Sequence, residues 1–364
     1  MKITKIDATP VRMPMRTFTD AYASYSSGEF ALVTIETDEG VTGYGECPST
    51  VVVGFYGETL ETVVTTVKSL APVFIGENPM NIGVLVSKMN IARGDSFIAK
   101  TGVNLALYDL VGKALRTPVS TLLGGRRRDK IRAASEIGIT SAEKMVTEAR
   151  RLVDLGFRVI KLKAGNDMKE EMEGLKGIRG ALGSDVELRV DPNAGWSRKE
   201  TLDAAKVMTR CEVSYLEQPL PGWDLEGLSM IRMKTEIPVM VDESVWNPHD
   251  VVRVATAGAA DLINIKITKT GGLTTALEVY NTAKAFGIPC VIGTELESCV
   301  ALGAKLQIGS VLEDLPHACE YTELAFQRIM VNEQVKLRHG YLDVPEADGL
   351  GLSPRLDSVQ RHKS

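Results

Sequence analysis

From about residue 131 the chain repeats one pattern, a short apolar run followed by an amphipathic stretch. The runs are IRAASEIGI (131–139), RVIKLK (158–163), VELRVD (186–191), VSYLE (213–217), PVMVD (238–242), DLINIK (261–266), PCVIGT (289–294) and HACEYT (317–322). Short apolar runs of this kind read as strands covered on both faces. Between them the spacing turns helical. In SAEKMVTEARRLVDLG (141–156), Met145, Ala149, Leu152, Val153 and Leu155 make one apolar stripe. Ser197 and Glu200 have the form of a capping box before LDAAKVM, and Gly156, Gly183, Gly258 and Gly287 stand where helices should end. Eight strands separated by seven helices in constant order imply parallel strands, and eight of them close into a barrel.

The chain before this repeat differs in kind. Strand-like KITKIDATPVRMPM and EFALVTIETDEGVTGYGE precede helical ETLETVVTTVKSLAPVFIG and AKTGVNLALYDLVGKALRTP. The expected fold class is therefore α/β, a (β/α)₇β barrel with an N-terminal α+β domain. The expected boundaries are 1–127 for that domain, 128–325 for the barrel, and 326–364 for a C-terminal segment that packs back on the first domain. Net charge is −5 with a pI near 5.6, and no basic block is long enough to bind nucleic acid. Arg126, Arg127 and Arg128 read as a loop between domains. No apolar run is long enough to span a bilayer, and MKITKIDATP reads as a first strand and not as a signal peptide. Five cysteines, none in a C-x-x-C pair, suit a reducing cytoplasm. The expected partners are a small-molecule carboxylate and further copies of the chain.

Within FRVIKLKAGND (157–167), Lys161 and Lys163 lie two apart and so share one face of an apolar strand. An edge strand protected against aggregation is the ordinary account of such a pair. The neighbouring strand ends give another. They read Lys163, Asp191, Glu217, Asp242 and Lys266, at separations of 28, 26, 25 and 24 residues, one strand-helix unit each. Catalytic residues of a parallel barrel come from these ends. Three carboxylates on adjacent strands need a cation, and an oxygen-only set without histidine or cysteine selects a hard ion such as Mg²⁺. Lys163 on the second strand and Lys266 on the sixth stand across the barrel, so a planar substrate on the metal would meet one amine on each face. A metal offsets the charge of the enolate formed when a proton leaves the carbon beside a carboxylate, and a neutral lysine then serves as base. Lys161 would lower the pKa of Lys163.

KLK (161–163), DPN (191–193), EQP (217–219), DES (242–244) and IKITKTGG (265–272) together resemble the enolase superfamily, in its muconate lactonizing enzyme subgroup, which includes dipeptide epimerases. GVTGYGE (40–46), LLGG (122–125) and GLGL (349–352) extend the resemblance over essentially the whole chain. It implies a capping domain on a (β/α)₇β barrel, with Asp191, Glu217 and Asp242 as ligands of Mg²⁺ or a substituting Mn²⁺. Lys163 and Lys266 become acid-base catalysts, and Asn193 and Glu243 orient the ligands. The mandelate racemase subgroup uses a histidine opposite its lysine. None of His249, His317, His339 and His362 stands in that place.

Substrate selection in the family comes from two loops of the capping domain, here about 16–30 and 47–58, and from strands 7 and 8. Tyr22, Tyr25, Phe55, Tyr56 and, on strand 7, Thr294 are the candidates. Dipeptide epimerases carry Asp-x-Asp on strand 8; here Glu320 and Thr322 occupy those positions, and Glu320 is expected to meet the substrate's distal polar group. Strand 7 reads GTELES and lacks the Gly-Gly-Met element of the succinylbenzoate synthase and N-acylamino acid racemase branch. The implied function is a Mg²⁺-dependent racemase or epimerase acting on a dipeptide or N-substituted amino acid. A cycloisomerase or a β-eliminating dehydratase passing through the same enolate is the alternative, followed by a non-catalytic metal-binding barrel.

Overall fold

The computed structural model describes residues 1–48, 53–321 and 330–364. Alternating apolar residues in β1 (Ile3–Thr19), β2 (Ser24–Thr37) and β3 (Thr42–Cys47) build an antiparallel sheet in the order β1-β2-β3. Its inner face packs on the buried helix α5 (Phe97–Ala114), together with α2 (Leu60–Ser69) and α4 (Ile82–Ala92). Two short helices, α1 (Val53–Tyr56) and α3 (Ala71–Phe74), flank α2, and α6 (Val119–Leu122) leads out of this domain. β3 approaches α5 so closely that a Cβ on Gly45 would lie 2.0 Å from the Gly102 carbonyl oxygen.

The repeat forms the expected barrel. Its strands are β4 (Lys130–Ile137), β5 (Val159–Lys163), β6 (Glu187–Asp191), β7 (Val213–Glu217), β8 (Val239–Val241), β9 (Leu262–Ile265), β10 (Cys290–Ile292) and β11 (Cys319–Glu320). Neighbours from β4 to β10 pair in parallel, and β11 closes the ring by pairing with β4, Glu320 opposite Ala134. Helices α7 (Ala142–Asp154), α8 (Met168–Leu182), α9 (Arg198–Arg210), α10 (Leu225–Lys234), α11 (Pro248–Ala257), α12 (Leu273–Ala285) and α13 (Cys299–Val311) form the outer layer. Ser197 and Glu200 cap α9 reciprocally, as the sequence pattern requires.

The tail contacts both parts of the molecule. A hairpin of β12 (Leu337–Arg338) and β13 (Tyr341–Asp343) pairs antiparallel with β4, a strand extension that the sequence pattern does not reveal. Further on, the Leu350 amide donates to Asp109 of α5, and α14 (Leu356–Arg361) precedes a bridge from Lys363 to Val11. The arginine cluster stitches these segments, Arg126 donating to the Pro345 carbonyl and Arg128 to the Gly309 carbonyl beside the end of α13. No helix among the described residues is long and apolar enough to cross a membrane.

Candidate active site

The strand ends converge at one mouth of the barrel. Lys163, Asp191 and Glu217 terminate β5, β6 and β7, while Asp242 and Lys266 each follow their strand by one residue. Parallel pairing sets Lys163 opposite Asp191. The connecting turns hold their neighbours in place. Asn193 sits in the left-handed region at φ 45°, which asparagine tolerates better than most residues, and its amide donates to Asp191 Oδ1 at 2.9 Å. Gln218 Oε1 accepts from the amides of Asp242 and Ser244, fixing the turn after β8 against the end of β7.

Every one of these charges is paired. Lys163 Nζ lies 2.7 Å from Asp191 Oδ2, and Lys266 Nζ lies 2.7 Å from Asp242 Oδ2 and 2.8 Å from Glu295 Oε2. Lys161, fully buried, reaches Glu136 at 2.7 Å, Glu320 at 2.8 Å, Glu217 at 3.0 Å and Asp191 at 3.2 Å. Lys269 donates to Asp242 Oδ1 at 2.6 Å, and Asn264 to Glu217 Oε1 at 2.7 Å.

These pairings set the proton affinities. Burial works against the charged form of Lys163, but Asp191 and then Glu136 outweigh it and hold its pKa above the ordinary lysine value. Lys161 does oppose that proton, as expected, yet the carboxylates win, so the net shift is upward and not downward. For Lys266, burial is likewise overcome by Asp242 and Glu295. Burial, then the charge of Asp191, pushes Glu217 well up. Glu243 is pushed up to about 7 by burial and then by Asp242. Its Oε1 accepts from Tyr22 Oη at 2.9 Å and Asn193 Nδ2 at 3.3 Å.

The site suits a hard cation by its donor chemistry. Asp191, Glu217 and Asp242 are fully buried and offer oxygen alone. Beside them Asn193 Oδ1 and Glu243 Oε2 are buried acceptors without a donor among the described residues. Among the described residues no three acidic, histidine or cysteine groups stand close enough together to form a finished cage. The lysine ammonium groups balance the carboxylates instead.

A cavity opens beside these groups, lined from the barrel by Glu136, Lys163, Asn193, Glu243, Lys266, Thr294, Glu295 and Leu296, and from the capping domain by Phe18, Asp20, Tyr22 and Phe55. Phe55 stacks near Tyr22, Tyr56 and Trp246, with ring centroids 5.9, 4.6 and 5.0 Å apart. These rings roof the site. Thr294 lines the cavity, its hydroxyl 2.7 Å from Glu297. Tyr56 is not a lining residue; it belongs to the aromatic roof, close to Glu295 and Lys266. Tyr25 stands behind the wall, its hydroxyl donating to Asp20.

Glu320 is a correction. It is fully buried against Lys161 and does not line the cavity, so it is not placed to meet a distal substrate group. Its strand pairs it with Ala134, two residues below Glu136, which puts it a layer beneath the mouth. Thr322 and part of the 47–58 loop lie outside the described residues. Reading the sequence also missed Glu136, Lys269, Asn264, Glu295 and Asp20. Lys269 had a usable signal, one helical turn beyond Lys266. Glu136 was hidden inside a run read to residue 139, whereas β4 ends at Ile137.

A capped parallel barrel with acids and lysines on successive strand ends has the groups that proton transfer at the carbon beside a carboxylate requires. Similarity to known proteins gives the family. Residues 3–124 match the mandelate racemase / muconate lactonizing enzyme N-terminal domain, and residues 144–358 match the enolase C-terminal domain-like family. The N-succinyl-L-Arg/Lys racemase of Bacillus cereus is 32% identical over 99% of this chain and 97% of its own. The 2-chloromuconate cycloisomerase of Rhodococcus opacus superposes with a TM-score of 0.95 at 30% identity, covering 100% of both chains. The dipeptide epimerase of Cytophaga hutchinsonii, solved with Mg and D-Ala-L-Val, superposes at 0.94 and 28% identity over 99% of this chain and 98% of its own. The chain belongs to the enolase superfamily, in its muconate lactonizing enzyme subgroup. It is an isomerase of that superfamily.

Proposed function

We propose that the protein is a Mg²⁺-dependent racemase or epimerase acting at the α-carbon of an amino-acid-derived carboxylate, either a dipeptide or an N-substituted amino acid. One observation carries the reading. Lys163 and Lys266 line a single cavity from β5 and the end of β9, with the strands of Asp191, Glu217 and Asp242 between them. An inversion needs a proton acceptor on one face of the carbon and a proton donor on the other. A single-base reaction has no such need.

Asp191, Glu217 and Asp242 are the residues that would hold Mg²⁺, or Mn²⁺ in its place, with Asn193 and Glu243 orienting them. The bound ion supplies positive charge against the second negative charge a carboxylate gains on becoming an enolate. Lys161 remains charged among its four carboxylates and balances the site. Lys163 and Lys266 are both ammonium groups while Asp191 and Asp242 face them. Were Asp191 and Asp242 to hold a cation, each amine would lose part of the counter-charge that holds its proton, Lys266 keeping Glu295, and its pKa would fall towards the working range of a base. One lysine, its own proton first released to solvent, would take the α-proton, and the planar carbon would accept a proton from the ammonium group of the lysine opposite. The pair is left with its protonation states exchanged.

The relatives named racemase and epimerase support this reading, as does the neighbour solved with Mg and a dipeptide. Cycloisomerisation is the second reading, favoured by the equally good superposition on a chloromuconate enzyme. It would use one lysine for proton transfer. Incubation with Mg²⁺ in D₂O of enantiopure dipeptides, N-acyl amino acids and muconates, followed by mass spectrometry and chiral chromatography, tests the proposal. The expected outcome is deuterium at the α-carbon together with inversion, abolished by EDTA. Exclusive conversion of muconate to a lactone contradicts it.

A further inference from the structure

Asp20 lies at the turn between β1 and β2, where it lines the cavity while only 8% exposed. Its Oδ1 is saturated, accepting from the Tyr22 amide at 2.8 Å, the Ala23 amide at 3.0 Å and the Tyr25 hydroxyl at 3.2 Å. Among the described residues its Oδ2 has no donor, and no lysine or arginine pairs with it. The other acids of the cavity are accounted for. Glu136 is paired with Lys161, Glu295 with Lys266, and Glu243 accepts from Tyr22 and Asn193 beside the carboxylates assigned to the metal. Asp20 alone of these four belongs to the capping domain, and Phe18 and Tyr22 line the same cavity.

A carboxylate whose first oxygen is saturated keeps the acceptor capacity of its second for a ligand. Three donors on one oxygen leave the other free for a ligand, and its negative charge favours a cation over an anion. We infer that the substrate carries, besides its α-carboxylate, a cationic nitrogen group that pairs with Asp20 Oδ2. This rests on the reading of the site as acting on an amino-acid-derived carboxylate, and it narrows that class. The cation has two sources, the terminal ammonium of a dipeptide or a basic side chain on an N-acylated amino acid. An anionic distal group would meet Asp20 with like charge.

Asparagine is the informative replacement. Its Oδ1 still accepts from the Tyr22 and Ala23 amides, so the turn keeps its hydrogen bonds while the charge is lost. The test measures binding by calorimetry on the full chain with Mg²⁺ present, using two matched pairs. One pair is L-Ala-L-Leu and its N-acetyl derivative. The other is Nα-acetyl-L-lysine and Nα-acetyl-L-norleucine. The expected result is a preference of about 10- to 100-fold for the charged member of one pair, the size of a charge-assisted hydrogen bond. Whichever pair shows the preference identifies the source of the cation. Asp20→Asn should reduce the preference to about 3-fold or less by weakening only the charged ligand. Equal binding within both pairs, or no binding of either, overturns the inference without need of any variant. So does a preference that survives Asp20→Asn. Deuterium exchange on the same compounds separates the two levels. A charge preference without exchange leaves Asp20 assigned and sinks the racemase reading, and exchange indifferent to charge does the reverse.

Discussion

Lys161 shows how one residue carries the balance of the site. It is fully buried with four carboxylates within 3.2 Å, so removing its charge leaves Glu217 and Glu320 in a low-dielectric core without the ammonium group that faces them. Lys161→Met keeps most of the volume and should destabilise the protein by about 3–5 kcal/mol, the cost of breaking a buried pair. Denaturant unfolding without added metal measures it, and a loss below about 1 kcal/mol would show the pairing to be dispensable. The residues that sequence exposed here were those tied to a period. Five strand ends one βα unit apart announce themselves, whereas Asp20 and Glu295 sit in turns, where no periodicity marks which way a side chain points. Lys161 was legible as an inward-facing amine, but its partners were not. Pairing across the barrel depends on register, which spacing alone leaves open.

At the scale of elements, the packing of β3 on α5 is the tightest constraint. Both Gly43 and Gly45 face the helix backbone, and a Cβ on either would come within 2.2 Å of a carbonyl oxygen. Gly45→Ala must push β3 off α5 and should cost at least about 1–3 kcal/mol, as overpacking does. Gly94, exposed and with nothing within 4 Å of where a Cβ would stand, is the matched control, and Gly94→Ala should leave the unfolding midpoint nearly unchanged. Helix starts were the most readable feature, because a capping box is a local rule and Ser197 and Glu200 satisfy it. Strand β11 was the least readable. It has two residues, and its depth is set by pairing with β4, so the mouth position read for Glu320 fell one layer too high.

Across the whole molecule, Glu46 joins the capping domain to the barrel. Its carboxylate, on β3, accepts from the amides of Ser298 and Ala301 at the start of α13 and from the Ser298 hydroxyl. Burial raises its pKa to about 7 despite these bonds. The folded state therefore holds a proton there that the unfolded chain releases near pH 4.5. The stability this lends is complete below pH 4.5 and is lost as pH rises through 7, an effect on the order of 3 kcal/mol. Glu46→Gln should flatten the fall in stability between pH 5 and 8 relative to the parent, and identical slopes would remove Glu46 as its source. Mg²⁺ uptake at the proposed site should act on the whole fold by mass action. Mg²⁺ at 100 times its dissociation constant should stabilise the parent by about 2.7 kcal/mol, and Asp191→Asn, Glu217→Gln and Asp242→Asn should each abolish that increment in thermal melts.

Two lysines serving opposite faces of one carbon is the central claim, and enantiomer-resolved exchange tests it most directly. Pure L and D forms of a turned-over substrate are incubated in D₂O with Mg²⁺ and the Lys163→Ala or Lys266→Ala enzyme, and α-deuterium is followed by NMR. Each variant should lose racemisation by about 10²–10⁴-fold or more. Lys163→Ala should stop exchange from one enantiomer and spare the other, and Lys266→Ala should show the reverse selectivity. If one variant abolishes exchange from both enantiomers while the other spares both, a single lysine moves the proton and the two-face account is wrong.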